Sequence, residues 1–245
     1  MYKIADLFID LNVDGRTLRN ASVYLCQSNN SADMSIEKNY EQAISDYPSF
    51  ANYNYPKGYE QYVYEGLNYM YERDTFARKL LNFEGIVLHS SAVVVEGRAY
   101  LFSAPSGTGK STHTRLWLEK FGDSAYILND DKPAIRILDD GIYAYGTPWC
   151  GSSNISVNAK VKLQGICFIK RDDHDWIDLM NIKEASIRML HGISIPLKLT
   201  EIEVMKELEI INNLIERIPI YEMGCTPNIS SADMAYDVMS KAIVK

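Results

Sequence analysis

Hydrophobic and polar positions follow different patterns before and after about residue 82. The first part has no long apolar strand, and nine of the chain's 17 tyrosines lie between Tyr40 and Tyr71. Residues 59–81 are compatible with helices that pack through Tyr62, Leu67, Met70, Phe76 and Leu80. Amphipathic packing is the common reason for such a stretch, and a recognition surface is the alternative. We predict a small N-terminal lobe over residues 1–82.

From Ile86 onward the pattern becomes strand-like. The runs LHSSAVVV and RAYLFSA flank Glu96-Gly97, which predicts a hairpin with a two-residue turn. The glycine-containing APSGTGKS follows, then the amphipathic THTRLWLEKF and the apolar AYIL, which runs into Asn129-Asp130-Asp131. The predicted order is therefore strand, glycine loop, helix, strand.

The remaining elements alternate between strands and helices. They are a hairpin of AIRIL and IYAY around Asp139-Asp140-Gly141, a buried strand from Leu163 to Ile169, a helix from Ile202 to Ile218, a short strand PIYEM, and a final helix from Ala232 to Ile243 capped by Ser231. We predict a mixed α/β domain over residues 83–245.

Composition and charge limit the kinds of binding partner and the cellular compartment that we expect for this protein. The chain of 245 residues is 47% hydrophobic, enough for one substantial core with a smaller annex, and its formal net charge is −7. Without a basic cluster it is a poor partner for nucleic acid or an anionic membrane. No apolar run approaches the ~20 residues of a membrane helix. The start MYKIADLFIDL has no basic leader or cleavage site, and the four cysteines are far apart. We expect a cytoplasmic protein with reduced cysteines.

The segment from Ala104 to Ser111 fits the Walker A spacing of a phosphate-binding loop (P-loop), with Ala in place of the first glycine. Gly107 and Gly109 allow successive backbone N–H groups to point at phosphate oxygens, and the following helix adds its positive end. The predicted nucleotide-binding residues are Ser106, Gly107, Thr108, Gly109, Lys110, Ser111 and Thr112. In this interpretation Lys110 reaches the β- and γ-phosphates of ATP or GTP, and the Ser111 hydroxyl holds Mg²⁺.

Asp130 and Asp131 follow the strand after the P-loop helix. In a parallel strand–helix–strand unit the carboxyl ends of both strands face the same edge of the sheet, so these acids should emerge beside the loop. One carboxylate, assigned to Asp130, would contact magnesium, and one of the pair would accept a proton from an attacking hydroxyl. The alternative is that both acids only solvate a strand end.

His89 enters the prediction through the register of the first hairpin. With Glu96-Gly97 as a two-residue turn, Val95 lies opposite Arg98 and His89 opposite Ala104. The histidine would then sit at the mouth of the P-loop, where it can hydrogen-bond a carboxylate or a phosphate. His113, by contrast, is expected on the helix with no such role, free to face solvent.

The run from His89 through the P-loop to Asp130-Asp131, followed by Gly146-Thr147-Pro148, resembles the catalytic core of HPr kinase/phosphorylase. The segments LHSSAVVV, APSGTGKSTHTRLW, ILNDDKPAIR, YGTPW and IPIYEM look more like the small bacterial HPr-kinase-like proteins. This resemblance implies a P-loop kinase core with a mixed sheet, related to ATP-dependent phosphoenolpyruvate carboxykinase. It also implies phosphoryl transfer from a nucleotide to a serine hydroxyl, with catalytic roles for Lys110, Asp130, Asp131 and His89.

Two departures limit what is carried over. The N-terminal lobe does not resemble that of full HPr kinases, so HPr itself need not be the substrate. The smaller relatives often show Gly-Lys after the tryptophan, where this chain has Gly151-Ser152-Ser153, which removes a phosphate-facing cation. Lys160, Lys162, Lys170 and Arg171 are the candidates to compensate. HPr kinases form oligomers, so a homo-oligomer stays an alternative for this chain. The sequence itself shows no interface signature.

Two functional hypotheses follow. The first is a kinase that uses ATP or GTP and Mg²⁺ to phosphorylate a hydroxyl of a peptide, protein or small metabolite. The second is a nucleotide-responsive regulator with little or no turnover, suggested by Ser152-Ser153 and the distinctive first lobe. A simple nucleotide hydrolase is a weaker third interpretation, because the sequence identifies no arginine finger or water-positioning glutamine.

Overall fold

The first 82 residues form a three-stranded sheet with helices beside it. The computed structural model describes residues 1–193, 199–242 and 244. Strand β2 pairs with β1 antiparallel and with β3 parallel. The elements are β1 (Tyr2–Ile4), β2 (Leu7–Asn12), α1 (Gly15–Ala21), β3 (Met34–Glu37), α2 (Tyr40–Asp46), α3 (Pro48–Ala51) and α4 (Glu60–Leu80).

Helix α4 is one continuous helix of 21 residues where the sequence predicted helices. Of the predicted packing face, Leu67, Phe76 and Leu80 are buried, but Tyr62 is 58% exposed, so its assignment to the core was wrong. Asn68 and Glu72 are buried on the same helix. Hydrophobic periodicity missed them because it treats polar residues as solvent-facing.

The second sheet has nine strands among the described residues, and they run in mixed directions. Its order is β4-β8-β9-β10-β6-β5-β7, with β12 beside β10 and β11 beside β12. The strands are β4 (Gly85–Val87), β5 (Ser90–Val95), β6 (Arg98–Ser103), β7 (Ala125–Asn129), β8 (Ala134–Leu138), β9 (Gly141–Tyr145), β10 (Lys160–Arg171), β11 (Trp176–Leu179) and β12 (Ile220–Cys225). The predicted mixed α/β class is confirmed.

The strand–loop–helix–strand unit is formed by β6, α5 (Lys110–Phe121) and β7. Strand β5 lies between β6 and β7 and is antiparallel to both, so the two flanking strands run in the same direction. Their carboxyl ends therefore share one edge of the sheet, as predicted, although they are not neighbours. The hairpin register is also confirmed, because Val95 faces Arg98 and Ser90 faces Ser103.

Among the carboxyl-terminal elements, the last helix begins earlier in the structure than the sequence predicted. Helices α6 (Ile182–Gly192), α7 (Glu201–Arg217) and α8 (Ile229–Met239) complete the fold. Helix α8 begins after the N-cap Asn228, so Ser231 lies inside its first turn and is not the cap. The predicted end at Ile243 lies outside the described residues. Within the described ranges, no helix combines the length and the apolarity needed to cross a membrane.

A hydrophobic cluster joins the N-terminal segment to the larger sheet. Ile9 and Phe76 from the first 82 residues share this cluster with Tyr145 and Trp149, and the rings of Phe76 and Trp149 stack 4.8 Å apart. The N-terminal elements therefore pack beside the segment that follows β9. A division into domains at residue 82 stays a prediction.

Candidate active site

The loop between β6 and α5 has the backbone that its glycines predict. Gly107 and Gly109 have φ values of +78° and +125°, which L side chains rarely adopt. Helix α5 begins at Lys110, directly after the loop. Its first backbone N–H groups have no partner within the helix and are suited to bind an anion.

A cavity of about 430 Å³ opens in front of this helix end, and we call it the P-loop cavity. Of the residues predicted to form the site, it is lined by His89, Ser106, Gly107, Gly109, Lys110, Ser111, Thr112, Asp130 and Asp131. Thr108 lines a neighbouring cavity instead. Gly151, Ser152, Ser153 and Arg171 complete the wall.

Lys110 is buried and folds back on its own loop. Its Nζ donates hydrogen bonds to the carbonyl oxygens of Ala104, at 2.8 Å, and Pro105, at 3.5 Å. Burial lowers the pKa of Lys110, against the opposing charges of Asp131 and Asp130. The ammonium group is thus held at the loop, close to both carboxylates.

Asp131 is held by two nitrogen donors. His89 Nε2 lies 3.2 Å and Lys132 Nζ 2.8 Å from the same oxygen, Oδ1. Burial acts to raise the pKa of Asp131, but the contact with His89 and the charge of Lys132 outweigh it and hold the pKa below its usual value. Lys132 is 6% exposed. Sequence reasoning missed it, because a lysine directly after a strand is usually solvated.

The groups around His89 act on its pKa in opposite directions. The hydrogen bond with Asp131 acts to raise the pKa of His89, but burial and the charges of Lys132 and Lys110 outweigh it and lower the pKa. A neutral imidazole carries its proton on the nitrogen that faces the carboxylate, which is Nε2 in His89. The ring can therefore orient Asp131 without adding a third positive charge.

Asp130 contacts a different set of groups. Its Oδ1 accepts a hydrogen bond of 2.6 Å from the Ser91 hydroxyl, and the hydroxyls of Ser91 and Thr114 lie 3.0 Å apart. Ser91 belongs to β5 and Thr114 to α5, so Asp130 is tied to a strand of the sheet and, through Ser91, to the helix that follows the P-loop. Neither residue was singled out from the sequence.

The turn that carries both acids is built around Asn129, which is fully buried. Its side-chain oxygen accepts hydrogen bonds from the backbone N–H groups of Asp131, at 2.9 Å, and Lys132, at 2.8 Å. Its amide donates to the carbonyl oxygen of Thr147, and the Thr147 hydroxyl donates to that of Lys132. The segment Gly146-Thr147-Pro148 thus braces the acidic turn.

A short 3₁₀ turn, Gly151–Ser153, approaches Asp131 closely. Gly151 has φ +64°, and a Cβ atom there would lie 2.8 Å from that of Asp131. N-terminal residues hold this turn: Arg16 donates a hydrogen bond to the Gly151 carbonyl oxygen, and the Gly151 N–H donates to the Tyr69 hydroxyl at 3.3 Å. The N-terminal segment therefore contributes to the wall of the cavity.

Arg171 is the basic residue, among the four candidates, that lines the P-loop cavity. Its guanidinium donates to the carbonyl oxygens of Gly107, at 2.7 Å, and Thr108, at 3.0 Å. Lys160 and Lys170 instead pair with Asp6 and Glu222. Lys162 lies opposite Arg98, at the other end of β6.

His113 does not face solvent, which corrects the sequence-based expectation. It is 2% exposed, accepts a hydrogen bond from Trp117 Nε1 at 3.2 Å, and has Nδ1 3.4 Å from the Ser231 hydroxyl. Burial lowers the pKa of His113 to about 4. It is a neutral packing group on the buried face of α5.

The protein itself offers few ligands for a metal ion. No group of three or more His, Cys, Asp or Glu residues suited to a metal occurs in the described part of the chain. Mg²⁺ is usually held by one or two carboxylates together with substrate phosphates and water. Asp130 and Ser111, which line the same cavity, fit that mode and do not fit an all-protein cage.

Comparison with known proteins adds little to this geometry. No family model matches the chain, and no curated protein matches it. Among solved structures, the chain is similar to the Hpr(Ser) kinase/phosphatase from Coxiella burnetii, with a TM-score of 0.26 and 10% sequence identity. The match covers 53% of this chain and 91% of that one. A likeness this weak carries no argument about function.

Proposed function

We propose that this protein is a P-loop kinase that transfers a phosphoryl group from ATP or GTP to a hydroxyl group. The observation that supports the proposal is the meeting of a glycine loop, a lysine and two carboxylates in one cavity. Lys110 and Ser111 line this cavity together with Asp130, Asp131 and His89. A glycine turn without a ligand would not require acids and a histidine from two other elements.

The phosphates would lie at the start of α5. Backbone N–H groups of residues 106–112 would bind the phosphate oxygens, and Lys110 would turn from the carbonyls of its own loop to the β- and γ-phosphates. Arg171 would supply a second positive charge, in place of a cation at Ser152. Magnesium, held by Ser111 and Asp130, would neutralise charge on the phosphates.

In the transfer step, the acceptor oxygen forms a bond to the γ-phosphorus while the bond from that phosphorus to the nucleoside diphosphate breaks. The hydroxyl proton passes to the carboxylate of Asp130 or Asp131. A strong base is not needed, since kinase transition states are loose and the proton leaves late. The lowered pKa of Asp131 is compatible with that role, and His89 would keep its carboxylate oriented.

A regulatory protein with little turnover is the second candidate. The contacts of Arg16 and Tyr69 with Gly151 favour it, because they connect the N-terminal segment directly to the cavity wall. Nucleotide binding that shifts this turn would be transmitted to α1 and α4. The two candidates share the pocket and differ in whether a phosphoryl group leaves it.

The first test is calorimetric titration of ATP with Mg²⁺. We expect micromolar binding by the wild type and a loss of about 100-fold in Lys110→Ala, roughly 2.7 kcal/mol. Lys120→Ala is the matched control, because Lys120 lies on the same helix but pairs with Asp233 outside the cavity. Absence of binding by the wild type would contradict both candidates.

The second test separates the kinase from the regulator. ADP formation that depends on an added hydroxyl acceptor, and disappears in Asp131→Asn and Asp130→Asn, would support the kinase. Tight nucleotide binding with no transfer to serine peptides or small alcohols would favour the regulator.

A further inference from the structure

A second cavity of about 360 Å³ adjoins the P-loop cavity on the far side of α5's first turn. We call it the side cavity. It shares Gly109, Thr112 and Arg171 with the P-loop cavity but not Asp130, Asp131 or His89. The two cavities therefore share part of their walls, and the side cavity lies away from Asp130 and Asp131, although Asp172 contributes to its own lining.

The two cavities differ in chemistry. The P-loop cavity has a mostly polar wall, whereas that of the side cavity is mostly apolar. Leu116 on one wall and Cys225, Thr226 and Pro227 on the other face this space. Its volume is within the roughly 300–1,000 Å³ typical of small-molecule sites. Such a wall is suited to a flat, weakly polar group and not to a phosphate.

His113 adds no charge to the side cavity, because burial lowers its pKa to about 4. His113 lines this cavity, and both of its ring nitrogens already face partners, Trp117 and the Ser231 hydroxyl. Phe102 packs against the other side of the imidazole, with ring centroids 4.5 Å apart. At the junction of the two cavities, the Arg171 guanidinium is fixed to the carbonyls of Gly107 and Thr108. A planar guanidinium there can stack on an aromatic ligand.

We infer that the side cavity receives the base of the bound nucleotide, with Leu116, Thr226 and Pro227 as its walls and Arg171 at its entrance. This inference rests on the proposed nucleotide binding and adds where the nucleoside lies. Asp130 and Asp131 mark the side where the γ-phosphate meets its acceptor. The α-phosphate and the nucleoside must then lie on the opposite side of the P-loop cavity, where the side cavity begins. An acceptor peptide in the side cavity would lie away from those acids.

The test compares ATP with ribose 5-triphosphate, which carries the same triphosphate without a base. Binding of both is measured by calorimetry, with Mg²⁺, to the wild type and to Leu116→Trp, which fills the side cavity. We expect the wild type to bind ATP at least 10-fold more tightly than ribose 5-triphosphate. In Leu116→Trp this preference should disappear while ribose 5-triphosphate binds as before.

Leu118→Trp is the control, because Leu118 is half-buried on the same helix and in the same core cluster but does not line the side cavity. It should keep the preference for ATP. Thr226→Trp fills the cavity from the opposite wall and replaces Leu116→Trp if the latter unfolds. Folding of each variant is checked by circular dichroism.

The outcomes separate this inference from the proposed function. Equal binding of both ligands by the wild type, or an unchanged preference in folded Leu116→Trp and Thr226→Trp, would overturn the base site and leave the P-loop proposal standing. Failure of the wild type to bind either triphosphate would overturn both.

Discussion

Buried polar side chains have hydrogen-bond partners around the P-loop cavity but lack them between helices α1 and α4. Beside the cavity, Ser91, Asn129 and Thr147 are fully buried, and each is hydrogen-bonded. Between the two helices, Asn68 and Glu72 are buried without a partner for either polar atom of their side chains in the described residues. The hydroxyl of Thr17 and one carboxylate oxygen of Asp14 also lack a hydrogen bond of ordinary length, although the Thr17 hydroxyl is near enough to lower the pKa of Glu72.

This difference means that the buried polar groups beside the cavity contribute to a fixed site geometry, whereas those between α1 and α4 bear mainly on the stability of the fold. A satisfied network fixes side chains in one geometry, which the proposed phosphoryl transfer would require. Unpaired buried groups cost roughly 1–3 kcal/mol each and give no geometric advantage in return. We therefore expect changes near the cavity to damage both fold and binding, and changes between α1 and α4 to alter stability with little effect on the site.

The largest effect is expected from Asn129→Ala. The substitution removes the acceptor for the N–H groups of Asp131 and Lys132 and the donor to Thr147. Unfolding in urea, followed by tryptophan fluorescence, should show a loss of about 4 kcal/mol of unfolding free energy. Asn212→Ala, at an exposed asparagine of α7, should change it by less than about 0.5 kcal/mol. A loss below about 1 kcal/mol in Asn129→Ala would show that the network is not rigid.

The next effect concerns Glu72 and depends on pH. Burial, with a further contribution from the charge of Asp14, raises the pKa of Glu72 from 4.5 to about 7, against the opposing influences of Thr17 and Lys38. The folded protein thus binds a proton more tightly than the unfolded chain. The stability from this proton is fully present below pH 4.5 and is lost as the pH rises through 7. The expected decrease is about 3 kcal/mol.

Glu72→Gln removes this titration. The variant should be more stable than the wild type at pH 8, and its unfolding free energy should fall less between pH 5 and pH 8. Burial also raises the pKa of Glu207 to about 7. Glu207→Gln is thus the matched comparison, and the double variant should show the flattest profile. An unchanged profile in Glu72→Gln would mean that the carboxyl finds a partner in solution, which would remove the contrast between the two regions.

The contrast also explains which features were predictable from sequence. The backbone of the glycine loop, the hairpin register and the position of Asp130-Asp131 depend on local turn chemistry and strand pairing, both of which leave a sequence pattern. The burial of Lys132 and Glu72, and the choice of Arg171 among the four basic candidates, depend on how distant segments pack together. Hydrophobic periodicity does not encode this tertiary packing.

His113 and Tyr62 illustrate this limit in opposite directions. His113 was expected to be free to face solvent but lies on the buried face of α5, where Trp117 one turn later and Ser231 of α8 are its hydrogen-bond partners. Tyr62 was expected in the core, but it is near the start of α4, where its ring lies 6.0 Å from the rings of both Tyr55 and Tyr59 and remains exposed. In both cases the local pattern predicted a helix correctly, but it could not show which side chains from other segments the residue contacts.

The smallest effect tests whether the two regions are coupled. Tyr69 and Tyr64 both lie on α4, but the Tyr69 hydroxyl accepts from the Gly151 N–H, whereas the Tyr64 hydroxyl donates to Asp14 at 3.2 Å. Tyr69→Phe removes a contact to the cavity wall, and Tyr64→Phe removes one within the N-terminal segment. We expect Tyr69→Phe to weaken binding of ATP with Mg²⁺ about three- to fivefold, roughly 1 kcal/mol, and Tyr64→Phe to leave it unchanged.

Calorimetry on both variants, together with their urea unfolding curves, decides the matter. Tyr64→Phe should instead lower the unfolding free energy by about 0.5–1.5 kcal/mol, because it leaves Asp14 with one partner fewer. If both variants bind the nucleotide as tightly as the wild type does, the close packing of Gly151 on Asp131 positions the turn without α4. The connection through α4 would then be lost, and the hydrogen bond from Arg16 to the Gly151 carbonyl oxygen would be the one remaining contact of the two that favour a regulatory protein over a kinase.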